Sequence, residues 1–121
     1  MSGEVVELDD RAAWRRWLRD HHATADGVWL VTWKASAKRP RVDYDAAVEE
    51  ALCFGWVDSK SRAVDADRTS IYFTPRQAKS SWSASNVARV EKLEAAGLMR
   101  KAGRIAVERA KKSGGWPGES T

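Results

Sequence analysis

The sequence predicts an α+β fold in which about four helices pack around a small antiparallel sheet of three strands. Two hydrophobic patterns predict this fold class. Some segments place apolar residues three or four positions apart, as helices do, and others place them at every second position, as strands do. Length is the third observation, since 121 residues suit one domain that buries roughly two-thirds of its unfolded surface. We expect that domain to span residues 9–112, between a loose N-terminal lead-in at 1–8 and a flexible tail at 113–121, in which Trp116 is the residue that can dock.

The first half of the chain alternates helix and strand signals. Asp9 or Asp10 can cap a first helix of about three turns, which carries a single apolar stripe. Residues 28–34 alternate with apolar side chains on both sides, which predicts a strand covered on both faces. A second helix follows Asp43 and ends before Gly55, a residue suited to the end of a helix.

The second half predicts a hairpin followed by two helices. Residues 56–64 and 69–74 have the composition of strands, and a four-residue turn joins them. Ser83 is a strong cap for a third helix. A fourth helix, over residues 100–112, is weaker because Gly103 lies inside it.

Tryptophan dominates the aromatic composition, with seven residues against two phenylalanines and two tyrosines. An indole can fill a core, or it can floor a binding surface with a flat apolar face and a polar N–H. Trp14 and Trp17 lie on a helical stripe, and Trp29 and Trp33 lie on an alternating strand, so we expect these four in the core. The segment 51–86, which holds the next two tryptophans, is therefore the candidate functional segment.

Cysteine usage and charge indicate the compartment and the partners. The lone Cys53 excludes an internal disulfide, no signal peptide is visible, and no apolar run reaches the ~20 residues of a membrane helix. We therefore expect a cytoplasmic protein without membrane insertion. Residues 76–112 carry ten basic and three acidic side chains, whereas residues 1–75 carry eleven basic and thirteen acidic ones. This asymmetry indicates an anionic partner, or else no more than solvated helix faces.

Two clusters in the candidate segment combine charged and aromatic side chains. In the strand after the second helix, Trp56, Asp58 and Lys60 are expected on one face, although the two charges could form a mere surface ion pair. The second cluster surrounds the start of the third helix, where unpaired N–H groups favour anions. Its members are Arg76, Lys79, Trp82, Ser83 and Asn86. Together the clusters predict a ligand site, and the alternative for the second is a well-capped helix with a basic approach loop.

Other candidates for chemistry are weaker. Cys53 lies between Leu52 and Phe54, which favours a small buried hydrophobe over a nucleophile. The adjacent His21 and His22 lack further ligands at a suitable spacing, so we predict neither a metal site nor a cofactor.

Three motifs follow one another along the chain: ALCFGWVDSK, FTPR, and SSWS with Asn86 and LEAAGLM behind it. With AWRRWLRDHH, GVWLVTWK and GGW they resemble the YdeI/OmpD-associated family, also labelled bacteriocin-protection proteins, over residues 10–116. Family members usually continue with a further helical region, so the chain resembles a short form. The resemblance implies a role in stress or antimicrobial protection and supplies no established catalytic residue. The motif positions that it carries over are Trp56, Asp58, Lys60, Arg76, Trp82, Ser83 and Asn86.

These features support three hypotheses about function. The first is a non-enzymatic binding protein that holds a small or peptidic anionic ligand at the predicted site. The second is a single-stranded nucleic-acid binder that uses the basic C-terminal helices, with exposed tryptophans for stacking. The third is a small enzyme with Asp58 as acid or base and the start of the Ser83 helix as an oxyanion site. The basic set of the second hypothesis is Arg100, Lys101, Arg104, Arg109, Lys111 and Lys112.

Overall fold

The predicted helices are present in the computed structural model, which describes residues 4–77 and 81–117. The described α-helices are α1 (Arg11–His21), α2 (Tyr44–Cys53), α3 (Ala84–Ala95) and α4 (Lys101–Ser113). One turn of 3₁₀ helix, Ala35–Ala37, lies between the second strand and α2. The chain is therefore α+β, as the periodicity of the sequence predicts.

Three of these helices begin with a side-chain cap that the sequence predicts. Asp10 and Asp43 each accept a hydrogen bond from the backbone N–H three residues later, at 2.8 Å in both cases. Ser83 accepts the equivalent bond at 3.1 Å. Each bond satisfies an N–H that has no partner inside the helix, so single residues determine where α1, α2 and α3 begin.

The sheet has four described strands rather than the three predicted, and it is mixed rather than wholly antiparallel. The strands are β1 (Glu4–Glu7), β2 (Val28–Trp33), β3 (Trp56–Ala63) and β4 (Arg68–Pro75). Their order is β1-β2-β4-β3, in which β4 is antiparallel to both neighbours and β1 is parallel to β2. The prediction is right for the three antiparallel strands and wrong in omitting β1.

Strand β1 lies in the segment that the sequence analysis assigns to a loose lead-in, residues 1–8, and that expectation is wrong for Glu4–Glu7. Within the strand only Val6 is half-buried against the core, and the other residues are exposed. Four residues with one inward side chain contain no periodic pattern that separates a strand from a loop. Backbone pairing with β2 holds β1 in place, and the N–H of Leu8 extends the pairing by donating to the carbonyl of Val31 at 3.1 Å.

Helices α1 and α2 pack on one face of the sheet, which we call the covered face. The rings of Trp14 in α1 and Phe73 in β4 lie 5.0 Å apart, and Tyr44 of α2 hydrogen-bonds Asp58 of β3. Directly paired residues share a face, so the register identifies the rest of its members. The part of the covered face nearest the helices includes Val28, Leu30, Trp56, Asp58, Ile71 and Phe73. All of these except the half-buried Asp58 are buried.

Of the four tryptophans expected in the core, Trp14 is buried and Trp17 is half-buried against it. Trp29 and Trp33 are half-buried on the other side of the sheet. The alternation in β2 is as predicted. No residue of β2 is exposed, and Val31, on the side of Trp29, is 7% exposed, which agrees with a strand covered on both faces. The helix contacts made by Trp14, Trp17 and Tyr44 lie on the side that carries Phe73.

Helix α4 docks against the end of α2 through Gly103. A Cβ atom at this position would lie 2.4 Å from the carbonyl oxygen of Cys53, so the two backbones approach too closely for any side chain. The N–H of Arg100 also donates to that carbonyl, at 3.0 Å. The glycine that weakens α4 as an isolated helix is therefore the residue that lets it pack.

The expected flexible tail, residues 113–121, is packed in the part that the structure describes. Gly114 caps α4 in the left-handed conformation, and Trp82 donates its backbone N–H to Gly115 at 2.9 Å. Trp116 is buried against Trp82, with ring centroids 5.1 Å apart. The burial of Trp116 agrees with the expectation that this residue can dock, and its indole completes the core beside α3. The expectation of a flexible tail is wrong for Gly114 and Gly115, which the helix cap and backbone hydrogen bonds hold in place.

An ion cluster built on two buried glutamates joins α1, α2 and α3. Glu50 accepts from Arg15 at 2.6 Å and from Arg11, which also reaches Glu49 at 2.9 Å. Lys92 of α3 donates to Glu49 at 2.6 Å. Burial raises the pKa of Glu49, but hydrogen bonds from Lys92 and Arg11 outweigh it and leave that pKa below its ordinary value.

Candidate functional site

The predicted face of Trp56, Asp58 and Lys60 is divided by a β-bulge. Asp58 pairs with Phe73 and Lys60 pairs with Tyr72, so two steps along β3 correspond to one step along β4. One extra residue reverses the alternation of a strand. Trp56 and Asp58 therefore point to the covered face and Lys60 to the opposite one, and the expectation that the three share a face is wrong.

Trp56 and Asp58 are both engaged on the covered face. Trp56 is 1% exposed, and its indole N–H donates to the carbonyl of His22 at 3.3 Å. Asp58 accepts a hydrogen bond from the hydroxyl of Tyr44 at 2.9 Å. Burial and this bond raise the pKa of Tyr44. Trp56 is thus a core residue at one edge of a groove, and Asp58 is a partner of α2.

The structure brings Arg76 and Trp82 of the second cluster together. The guanidinium carbon of Arg76 lies 4.0 Å from the centre of the Trp82 ring, and one terminal nitrogen donates to the carbonyl of Ser81 at 2.6 Å. Trp82 is buried beneath it. Lys79, the remaining predicted cation, lies outside the described residues.

Ser83 and Asn86 serve the helix rather than an open site. The hydroxyl of Ser83 accepts the N–H of Asn86, and the side-chain oxygen of Asn86 accepts from Arg89 at 2.9 Å. Arg89 in turn pairs with Asp45 at 2.7 Å. For these two residues the capped helix is the better description of the second cluster.

Cys53 has the character that its neighbours predict. The side chain is buried, and burial raises the pKa of its thiol, although a contact with Arg15 acts in the other direction. A raised pKa keeps the group in the weakly nucleophilic thiol form at neutral pH.

The side of the sheet opposite α1 and α2 has an organised surface, which we call the open face. Its rings are Trp29, Trp33 and Tyr72, and Trp29 lies 4.9 Å from Tyr72. The cations that lie over these rings come from the strands and from the loop before α2. They are Arg39, Lys60, Arg62 and Arg68.

Each ring of the open face has a cation within cation–π distance. Lys60 lies 5.2 Å from the centre of Tyr72 and 5.7 Å from that of Trp29, and Arg62 lies 5.1 Å from Trp29. Arg39 lies 4.6 Å from the centre of Trp33. Such contacts are worth about 0.5–1 kcal/mol each at exposed sites.

The open face has an excess of positive charge. Arg68 pairs with Glu7 at 2.6 Å and with Asp65 at 2.8 Å. Within the described part of the chain, no carboxylate forms an ion pair with the other three cations of the face. Three guanidinium or ammonium groups are therefore held beside aromatic rings without a negative partner at ion-pair distance.

Sequence reasoning missed the open face because its parts lie far apart in the chain. The sequence places Trp29 and Trp33 on one face of their strand, and Lys60 and Arg62 on one face of theirs. Neither pair predicts which strands are neighbours in the sheet. Strand β4 lies between them and brings Lys60 opposite Tyr72. Without the bulge in β3, Lys60 and Arg62 would point toward the helices.

The fold and these surfaces define a small α+β protein with helices on one face of its sheet and an aromatic, basic face on the other. Residues 6–106 match the family model of a domain of unknown function, DUF8412. The chain belongs to this DUF8412 family. No curated protein and no solved structure matches it. Among the described helices, none has the length and apolar character needed to cross a bilayer.

Proposed function

We propose that this protein is a non-enzymatic binding protein that holds single-stranded nucleic acid on the open face. The observation that supports the proposal is the set of half-buried aromatic rings with cations over them, on the face opposite to the one that Trp14 and Tyr44 contact. Proteins bind single strands by stacking bases on such rings and neutralising phosphates with the adjacent cations. The proposed partner, single-stranded nucleic acid, is that of the second sequence hypothesis. The proposed binding surface is the sheet rather than the C-terminal helices.

The spacing of the rings suits an extended strand. Trp29 and Trp33 are four residues apart on β2, which at the rise of a strand is about 13 Å. Tyr72 adds a second ring beside Trp29. The face thus has two stacking positions separated by more than one base thickness, and a duplex, whose bases are already stacked, offers neither of them a free base.

The relative energies favour replacement of the cations by bases. An exposed cation–π contact contributes about 0.5–1 kcal/mol, whereas a base stacked on an aromatic side chain contributes about 1–3 kcal/mol. Lys60 and Arg62 are exposed and have long side chains, so each can leave its ring and pair with a phosphate. A base then takes the vacated face of Trp29 or Tyr72.

Helix α4 fits the role less well than the sheet does. Arg104 pairs with Glu94 at 2.9 Å, and Glu108 lies among the cations on the outer side of the helix. The outer side presents Ile105 but no aromatic ring, because Trp116 is buried. Phosphate attraction without stacking predicts weaker binding there.

The decisive experiment is fluorescence polarisation with a labelled single-stranded oligonucleotide over a series of salt concentrations. We expect the double variant Lys60→Ala/Arg62→Ala to weaken binding by about tenfold and to make the salt dependence shallower by about 1.4 in slope. The matched control, Lys101→Ala/Lys112→Ala, removes the same charge from α4 and should change affinity by less than about twofold. Trp33→Leu should weaken binding by about tenfold while leaving the salt slope unchanged.

Two outcomes contradict the proposal. Absence of binding by the unaltered protein at low salt removes it directly. Equal losses for the sheet pair and the α4 pair would show that net charge alone drives the interaction, and would return the nucleic-acid hypothesis to the C-terminal helices.

The contacts of the predicted catalytic groups support binding more than catalysis. Asp58 accepts from Tyr44, and the start of α3 is capped by its own Ser83. The resemblance to the YdeI/OmpD-associated family stays a prediction, as do the link to bacteriocin protection and the cytoplasmic location. A small anionic ligand, the first of the sequence hypotheses, remains compatible with Arg76 and is taken up below.

A further inference from the structure

We propose that a groove between the start of β3 and α4 binds a small organic anion with a flat apolar body. The groove has a volume of about 300 Å³. Its apolar lining includes Pro75, Ala102 and the exposed Ile105, with the buried Phe54 and Trp56 behind them, and Arg76 and Arg109 supply positive charge. We call it the Arg76 groove. It includes two of the residues that the sequence singles out, Trp56 and Arg76, and lies away from the open face.

The charge of Arg76 is not neutralised within the described structure. Its Nε is buried and has no hydrogen-bond acceptor, and no carboxylate of the described residues lies at ion-pair distance from its guanidinium. Burial lowers the pKa of Arg76, and the charge of Asp58 acts in the other direction without an ion pair. An arginine stays protonated under these conditions, so the group is a partly desolvated cation that an anion would stabilise.

The guanidinium of Arg76 is also held in place before any ligand arrives. Its central carbon lies 4.0 Å from the centre of the Trp82 ring, and one terminal nitrogen donates to the carbonyl of Ser81. A ligand that binds a fixed group loses less free energy to ordering than one that must immobilise a flexible side chain. Arg109, which is exposed on α4, can close on the ligand from the other side.

The composition of the Arg76 groove distinguishes it from two larger grooves of the molecule. None of its lining residues is acidic. The groove between α3 and α4, of about 690 Å³, contains three glutamates, and the one beside α2, of about 640 Å³, contains two aspartates and a glutamate. In those grooves the cations already face carboxylates, so the Arg76 groove is the better anion site although it is smaller.

Another groove has guanidinium groups and little apolar lining. It is lined by Ala12, Arg15, Arg16, Arg19 and Arg100, with a volume of about 290 Å³. Arg15 there is already paired with Glu50. Such a site could attract a compact inorganic anion, whereas an aromatic body requires an apolar lining such as Pro75, Ala102 and Ile105 supply in the Arg76 groove.

The volume and the two cations limit the ligand. About 300 Å³ is at the lower end of ligand pockets, which suits a single ring with a short acidic side chain. One carboxylate can satisfy one guanidinium in the bidentate manner and contact the second. Phenylacetate is therefore a suitable probe, with 2-phenylethanol as its neutral counterpart and acetate as the anion without a body.

The experiment is a titration of the full chain followed by NMR, using the indole N–H of Trp56 as the reporter. We expect phenylacetate to shift that resonance in a saturable way, and 2-phenylethanol and acetate to bind at least tenfold more weakly. Arg76→Lys and Arg109→Gln should each weaken phenylacetate binding at least fivefold. Because Arg109 is exposed, its variant tests the site even if replacement of Arg76 disturbs folding.

Three results would overturn the proposal. One is the absence of saturation by phenylacetate in the millimolar range, and another is equal binding of phenylacetate and 2-phenylethanol. The third is a set of shifts centred on Arg16 and Arg100, which would assign the anion to the groove beside α1. Arg109→Gln should leave oligonucleotide binding unchanged, so failure here is distinguishable from failure of the proposed nucleic-acid function.

Discussion

The two faces of the sheet use the same kind of residue in opposite ways. Trp56 of the covered face is buried, and so is Trp14, which packs on this face from α1. The indole N–H of Trp56 donates to a backbone carbonyl at 3.3 Å, and that of Trp14 donates to another at 3.0 Å. On the open face Trp29 and Trp33 are half-buried and meet cations instead. A tryptophan with a satisfied N–H inside the protein stabilises the fold, whereas one beside unpaired cations is available to a ligand.

The comparison shows why composition alone does not identify a functional aromatic. Seven tryptophans suggest a special role, but it is the helix layer that assigns each of them to core or surface. Alternation along β2 places Val28 and Leu30 on one face of the sheet and Trp29 and Trp33 on the other. Because α1 packs on Phe73, the face of Val28 and Leu30 is the one that the helix covers. The predictions below test that division.

The largest effect expected is the loss of Trp14. Trp14→Ala removes a fully buried ring and its hydrogen bond to Ala47, so the free energy of unfolding should fall by about 3–5 kcal/mol. The matched change on the open face, Trp33→Ala, should cost about 1 kcal/mol or less, because solvent already reaches that ring. Urea denaturation measures both. Similar losses for the two variants would show that the open face is a second core.

The sequence predicts the local features of the fold and misses those that depend on distant partners. Asp10, Asp43 and Ser83 mark helix starts because a cap acts within three residues. Strand β1 is missed because its pairing partner is remote and its own four residues show no period. The bulge in β3 is missed for the same reason, since it exists only relative to β4.

The candidate site is predictable to a lesser extent. The pairing of Arg76 with Trp82 follows from their closeness in the chain, and the structure places them in contact. The assignment of Lys60 to the same site as Asp58 fails because one extra residue turns it to the other face. The open face could not be identified without the strand order, which no single segment encodes.

Replacement of Gly103 by alanine tests the close packing of α4 against the end of α2. Glycine-to-alanine changes inside helices normally raise stability by about 1 kcal/mol. Here the new Cβ would meet the carbonyl oxygen of Cys53 at 2.4 Å, a backbone atom that cannot move aside, so we expect a loss of about 2–3 kcal/mol. Thermal and urea unfolding would show whether Gly103→Ala lowers or raises the stability.

A control for Gly103→Ala is Ala88→Gly on the exposed side of α3, which changes propensity alone and should cost about 1 kcal/mol. A gain in stability for Gly103→Ala would mean that α4 does not approach α2 as closely as the structure describes.

The ion cluster on the helix side predicts that stability depends on pH. Because the folded-state pKa of Glu49 is lowered, its contribution to stability is present above the unfolded pKa, about 4.3, and is lost as the pH falls through the folded value. Glu49→Gln should cost about 1–2 kcal/mol at neutral pH and flatten the decline of stability in acid. Urea midpoints between pH 7 and about 3 measure this. An unchanged acid profile in the variant would assign the dependence to other carboxylates.

The smallest effect on stability is expected at Gly27, the counterpart of Gly103 on the open face. A Cβ there would lie 2.3 Å from the hydroxyl oxygen of Tyr72, the far end of a side chain that can swing away. Gly27→Ala should therefore change the free energy of unfolding by about 0.5 kcal/mol or less, while it moves the Tyr72 ring off Trp29. Proton NMR of the Tyr72 ring reports that movement directly, and oligonucleotide affinity should fall by a few-fold because one stacking ring is displaced. If the ring moves and affinity does not change, Tyr72 is not part of the binding surface, and the stacking positions reduce to Trp29 and Trp33.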